Sequence, residues 1–106
     1  MSYRFMRMIV FFDLPVVALD DRREYTRFRK YLIKNGFMMM QESVYSKILL
    51  NQSAAIAVAE GIRKNKPLKG LVQLLSVTEK QYSKMEIIVG EASGDVISSD
   101  ERFIEL

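Results

Sequence analysis

Seven residues near the start of the chain, Arg7-Met-Ile-Val-Phe-Phe-Asp13, constrain the fold more than any other stretch. An apolar run that short cannot complete a helix, and it ends on a charged residue, so it reads as a central strand covered on at least one face. Leu14-Pro15 breaks it. The period then changes, because Tyr25, Phe28 and Leu32 recur at i, i+3 and i+7, the spacing of one helix face. Asp20 and Asp21 supply N-cap candidates and first-turn negative charge, and the helix runs to about Asn35 with Gly36 as its stop. A strand feeding a helix whose apolar stripe must be buried commits the chain to a layered α+β domain.

The rest of the chain extends that pattern. Phe37 to Leu50 has strand formers at both ends and Gln41-Glu42-Ser43 between them, which predicts either two short strands around a tight connection or one bulged strand. Asn51 or Ser53 caps a second helix to about Lys66, with Ala55, Val58, Ala59 and Ile62 as its apolar face and Pro67 marking its end. Leu71 to Val77 is the next strand, Thr78 to Lys84 a short turn or helical piece, and Met85 to Val89 a candidate fifth strand. Gly90 to Asp100 reads as a loop before Arg102-Phe-Ile-Glu-Leu106, which can pair as a strand. The order β-α-β-β-α-β predicts a ferredoxin-like sheet with two helices on one face and an extra C-terminal strand. The other face then needs cover, most economically from a two-fold dimer. We expect residues 1–90 to form the ferredoxin-like domain and residues 91–106 an acidic tail ending in a partner- or dimer-pairing strand.

Composition narrows the chemistry. There is no cysteine and no histidine, which removes thiolate metal sites, cysteine nucleophiles and the usual general base near neutral pH. Catalysis would have to run on carboxylates, hydroxyls, lysines or a metal held by oxygen. The run from Met8 to Phe12 is too short for a secretory segment or a membrane span, so a cytoplasmic protein without membrane contact is expected. The net charge is +3, but five acids against one base give residues 91–106 a charge of −4, leaving +7 on the first 90 residues. A basic body suits a polyanion partner.

Two features could carry function. Arg23, Arg27, Lys30 and Lys34 fall at i, i+4, i+7 and i+11, opposite the Tyr25/Phe28/Leu32 face, and Arg22 adds to them. Six bases stand against one acid between Arg22 and Lys34, a density matched to phosphates, although many charged helix faces are only solvated. No Asn or Gln accompanies the stripe, so it would hold backbone rather than read bases. Asp13 is the second feature: a carboxylate closing an apolar strand, where hard ions such as Mg²⁺ bind in other α/β sites, or where an aspartate merely caps the next loop. The run Met38-Met39-Met40, with Met6, Met8 and Met85, reads as core filling, and most tyrosines as core or rim. No glycine-rich phosphate loop is present.

The segments RMIVFFDLP from Arg7, DRREYTRFRKYLIKNGF from Asp21, MQESVYSKILL from Met40, KGLVQLLSVTEKQY from Lys69 and SDERFIEL from Ser99 together resemble the CRISPR-associated Cas-two (Cas2) family, in the form that accompanies Cas9-type systems. The resemblance spans essentially the whole chain. It implies a ferredoxin-like homodimer that joins the Cas-one (Cas1) integrase, supports a duplex DNA fragment and helps insert it as a new spacer. It also implies an alternative, a Mg²⁺-dependent endonuclease on single-stranded RNA or double-stranded DNA, with the strand-end aspartate binding the ion at the dimer interface. Asp13 matches that metal and catalytic position. Arg102, Phe103, Ile104 and Leu106 match the family's C-terminal strand, which contacts a neighbouring subunit. Of the two readings the DNA-binding bridge is favoured, because the chain lacks histidine, cysteine and any acid near Asp13 in sequence. A ligand-binding regulatory module is a third and poorer reading, lacking the convergent polar groups it would need.

Overall fold

The computed structural model describes residues 5–91. Strand β1 (Met6–Asp13) leads into helix α1 (Leu19–Lys34), followed by β2 (Met38–Gln41), β3 (Val44–Leu49), helix α2 (Gln52–Lys64), β4 (Leu71–Thr78) and the single turn α3 (Glu79–Tyr82). The four strands form one antiparallel sheet in the order β2-β3-β1-β4, with β1 pairing β3 from Met6↔Leu49 to Phe11↔Val44 and β4 from Met6↔Thr78 to Asp13↔Leu71. The expected α+β sheet with two helices on one face is present. No helix among the described residues is long and apolar enough to cross a membrane.

Alternation along β1 decides which face is the core. Met8, Val10 and Phe12 point to the helices and join Phe28 and Leu32 of α1, Ala55, Ala59 and Ile62 of α2, and Tyr45 and Leu49 of β3. Phe12 is the hub, edge-on to Phe28 at 5.3 Å and to Tyr25 at 5.7 Å and stacked on Tyr45 at 5.7 Å. Arg7, Ile9, Phe11 and Asp13 point the other way. There, α3 covers the Arg7 corner through Glu79 and Tyr82, while Phe11, Ile48, Leu71 and Leu75 stand exposed on a sheet face that α1 and α2 leave open.

Several boundaries differ from expectation for identifiable reasons. Ala18, with no side-chain cap, precedes α1, and Asp20 and Asp21 fall inside its first turn, where they complement the helix dipole instead of capping it. The segment Phe37–Leu50 realises both anticipated forms, since two strands meet at a tight turn and a bulge lies between Met39 and Gln41. Asn51 caps α2 by accepting from the Ala54 N–H at 2.9 Å, and the helix ends two residues before Lys66. Met85 to Val89 is not a strand: no neighbour pairs with it among the described residues, and Ile87, Ile88 and Val89 are exposed. The methionine reading holds for Met8 but not for Met38, Met39 or Met85, which are exposed; β2 is an edge strand and packs on one side only. The expected strand at Arg102 to Leu106 lies outside the described residues.

Candidate nucleic-acid interface and the Asp13 strand end

Helix α1 owes its position to its buried stripe, which presses Phe28 and Leu32 onto the sheet. Its polar residues are thereby forced outward. Arg22, Arg23, Arg27, Lys30 and Lys34 are all exposed, as their spacing predicts. The structure separates them by what they touch. Arg27 donates to both Glu24 carboxylate oxygens (Nε–Oε2 3.3 Å, Nη2–Oε1 3.1 Å) and to the main-chain carbonyls of Asn65 at 3.1 Å and Lys66 at 3.2 Å. Its guanidinium thus satisfies carbonyls at the C-terminus of α2 and ties the two helices together. Arg23 faces Asp20 at 3.6 Å. The side chains of Arg22, Lys30 and Lys34 have no carboxylate or hydrogen-bond partner among the described residues. Arg29, which the four-residue stripe omitted, is likewise unpaired there.

Helical angles place these groups on two sides of α1. At about 100° per residue, Arg23, Lys30 and Lys34 fall within a narrow arc beside Arg27, on the shoulder next to α2, whereas Arg22 and Arg29 fall on the side toward β2. The local ion pairs were legible in the sequence, because Asp20 and Glu24 each precede an arginine by three residues. The reach of Arg27 across to Asn65 and Lys66 was not.

The Arg27 guanidinium also holds the Glu24 carboxyl below its ordinary value of 4.5, chiefly through the side-chain hydrogen bond, against a smaller opposing effect of burial. A carboxyl with a lowered folded-state pKa stabilises the fold fully above its unfolded value and loses that contribution as pH falls through the folded value. Glu24→Gln is therefore expected to lower stability near neutral pH and to flatten the acid limb of a stability-versus-pH curve. Parallel urea titrations between neutrality and mild acid measure this; identical acid limbs in the two proteins would show that the pair contributes nothing.

Asp13 is exposed at the end of β1, opposite Leu71. Its carboxylate makes no hydrogen bond or ion pair among the described residues, so it does not cap the following loop. Gly70, at φ +93, packs against this corner: a Cβ there would lie 2.7 Å from the Asp13 carbonyl oxygen. No cluster of three or more acidic, histidine or cysteine residues able to hold a metal occurs among the described residues. A Mg²⁺ ion held by Asp13 would therefore take its remaining ligands from waters, phosphate oxygens or a second protomer. The stripe and Asp13 are also not one site. The 16 residues of α1 span about 24 Å, so Lys34 lies toward the end of the domain remote from Asp13.

Comparison with known proteins bears on this arrangement. The model of the family described as CRISPR associated protein Cas2 matches residues 6–85. Proteins named CRISPR-associated endoribonuclease Cas2 from Treponema denticola, Streptococcus mutans and Ligilactobacillus salivarius are 55%, 46% and 44% identical to the chain. Each alignment covers 95% of this chain, and 100%, 93% and 100% of those relatives respectively. A crystal structure of a Cas2 protein superposes with a TM-score of 0.57 over 84% of this chain and 91% of that one, at 18% identity, a likeness of fold.

Proposed function

The chain belongs to the CRISPR-associated Cas2 family, and on that premise we propose that it acts as a homodimeric bridge in spacer acquisition, joining Cas1 integrase subunits and supporting the duplex DNA to be inserted. The observation that carries this reading is the opposition of two faces. The sheet presents uncovered Phe11, Leu71 and Leu75 on one side, suited to a second copy, while the helices present unpaired Lys30 and Lys34 on the other. A two-fold dimer through the sheets would leave both basic surfaces outward. In this reading Arg22 and Arg23 add phosphate contacts, Arg102, Phe103, Ile104 and Leu106 contact a partner subunit, residues 91–106 act as a tail separate from the domain of residues 1–90, and the complex works in the cytoplasm.

A second reading is a phosphodiesterase on RNA or DNA. It is favoured by the free, exposed Asp13 carboxylate and by the endoribonuclease names of the relatives. Two Asp13 side chains brought together across a dimer axis would supply the pair of carboxylates that one protomer lacks, and a Mg²⁺ ion there would activate water or stabilise a phosphate oxygen.

One set of variants separates the readings. Lys30→Ala with Lys34→Ala is expected to weaken duplex binding and to reduce the slope of log K against log salt by about 1.8, at about 0.9 for each phosphate no longer neutralised. Asp13→Asn is expected to leave that binding unchanged, or to strengthen it slightly by removing a negative charge, while abolishing any Mg²⁺-dependent cleavage of RNA or DNA. An unchanged slope in the lysine variant would exclude the stripe from DNA binding. Cleavage that survives Asp13→Asn removes the second reading.

A further inference from the structure

The unpaired lysines of α1 do not stand alone. Arg27 reaches the carbonyls of Asn65 and Lys66, and the Tyr31 hydroxyl lies so close to Gly61 that a Cβ there would sit 2.7 Å from it. These contacts fix α1 and α2 side by side, with the C-terminal end of α2 beside Arg27. On α2, the residues turned to the sheet are Ala55, Ala59 and Ile62, and Gly61 faces α1. At about 100° per residue, Lys64 therefore falls about 60° round from Gly61, on the outward crest of α2, as Lys30 and Lys34 fall on the outward side of α1. Lys66 lies two residues past the end of α2, at a residue whose carbonyl Arg27 holds.

All four lysines are exposed, and none has a carboxylate or hydrogen-bond partner through its side chain among the described residues. The nearby acids are already engaged: Glu24 by Arg27 at 3.1 Å and Asp20 by Arg23 at 3.6 Å on α1, and Glu60 by Arg63 at 3.0 Å on the far flank of α2. Net positive charge is thus concentrated on the outward side of the two helices, flanking the groove lined by Tyr31, Ala57 and Gly61. Lys30 and Lys34 are about 6 Å apart along the helix axis, comparable with the spacing of successive phosphates, and Lys64 and Lys66 continue the run onto a second element.

We infer that the valley between α1 and α2 is the track for a nucleic-acid phosphate backbone, with Lys64 and Lys66 as contacts equal to Lys30 and Lys34. This rests on the nucleic-acid-binding reading above and extends it to α2. The contacts are to phosphate, since the amides of Asn35 and Asn65 are already donated to the Tyr31 carbonyl at 2.8 Å and the Gly61 carbonyl at 2.9 Å.

The test uses the full-length protein and a short synthetic DNA duplex, with binding followed by fluorescence anisotropy over a range of salt concentrations. Lys64→Gln with Lys66→Gln is expected to lower the salt slope by about 1.8, at about 0.9 per phosphate, and to weaken binding at least several-fold at fixed salt. Lys80→Gln with Lys84→Gln removes the same net charge from α3 and the residues after it, and is expected to leave the slope unchanged. Circular dichroism confirms that each variant is folded. If the slope falls in the Lys30/Lys34 variant but not in the Lys64/Lys66 variant, the inference fails while the DNA-binding reading stands. An equal effect from the Lys80/Lys84 pair would reduce the result to net charge and overturn the valley. If the unmodified protein does not bind the duplex, both are overturned.

Discussion

Phe28→Ala is expected to destabilise the protein by about 3–5 kcal/mol, the range for removing a buried phenylalanine from a core that cannot collapse around the cavity. Phe28 has no solvent exposure, and it fills the space between α1 and the sheet against the edge of Phe12. Domains of this size have a total stability of about 5–15 kcal/mol, so the variant should approach the unfolding threshold. The same change is expected to abolish duplex binding at physiological temperature although Phe28 touches no cation, because α1 holds Lys30 and Lys34 in place only while its stripe is packed. Phe28→Leu keeps most of the volume and is expected to cost less than half as much, with binding retained. Urea midpoints with unchanged m-values measure the difference. A small effect of Phe28→Ala would mean that the core repacks and that α1 does not depend on this side chain.

The second large effect is expected from Leu75→Arg. Leu75 lies on β4 beside Ile9 and is 50% exposed, on the sheet face opposite α1 and α2. A single protomer should tolerate arginine there, since an exposed substitution away from caps and cores usually changes stability by about 0.5 kcal/mol or less. A dimer closed through that face should not, because two guanidinium groups related by the two-fold axis would be buried near each other without carboxylates. We expect dimer dissociation to shift by about 100-fold or more, equivalent to about 2.7 kcal/mol, read by sedimentation velocity over a dilution series. Capture of Cas1 should disappear with the dimer. A variant that stays dimeric would place the interface elsewhere and remove the basis for pairing Asp13 across it.

Much of this molecule follows from local pattern. The change from a short apolar run to a 3.6-residue period at Tyr25, Phe28 and Leu32 is sufficient to specify β1, α1 and the outward position of the stripe, because burial of the apolar side leaves the cations no other direction. Asn51 and Gly36 mark their helix ends for equally local reasons, a side-chain acceptor for a free N–H and a left-handed backbone at φ +92. The family resemblance was also legible, since it rests on the order of short segments along the chain and the family model matches residues 6–85.

What the local pattern could not supply is partnership. Apolar residues from Met85 to Val89 satisfy the composition of a strand, but a strand exists only where a neighbour offers its hydrogen bonds, and none does so here among the described residues. Met38 and Met39 read as core filling from composition, yet they lie on an edge strand with one neighbour and stay exposed. Arg27 shared a helical row with Lys30 and Lys34, and only the packing of α2 against α1 turned it from a free cation into a tie to Asn65 and Lys66. Spacing along a single element was enough to say which faces of β1 and α1 are buried and which meet water. Packing between elements decided the rest, tying Arg27 to α2 and leaving Lys30 and Lys34 free, because a contact to another element's carbonyl depends on what the fold brings within about 3 Å.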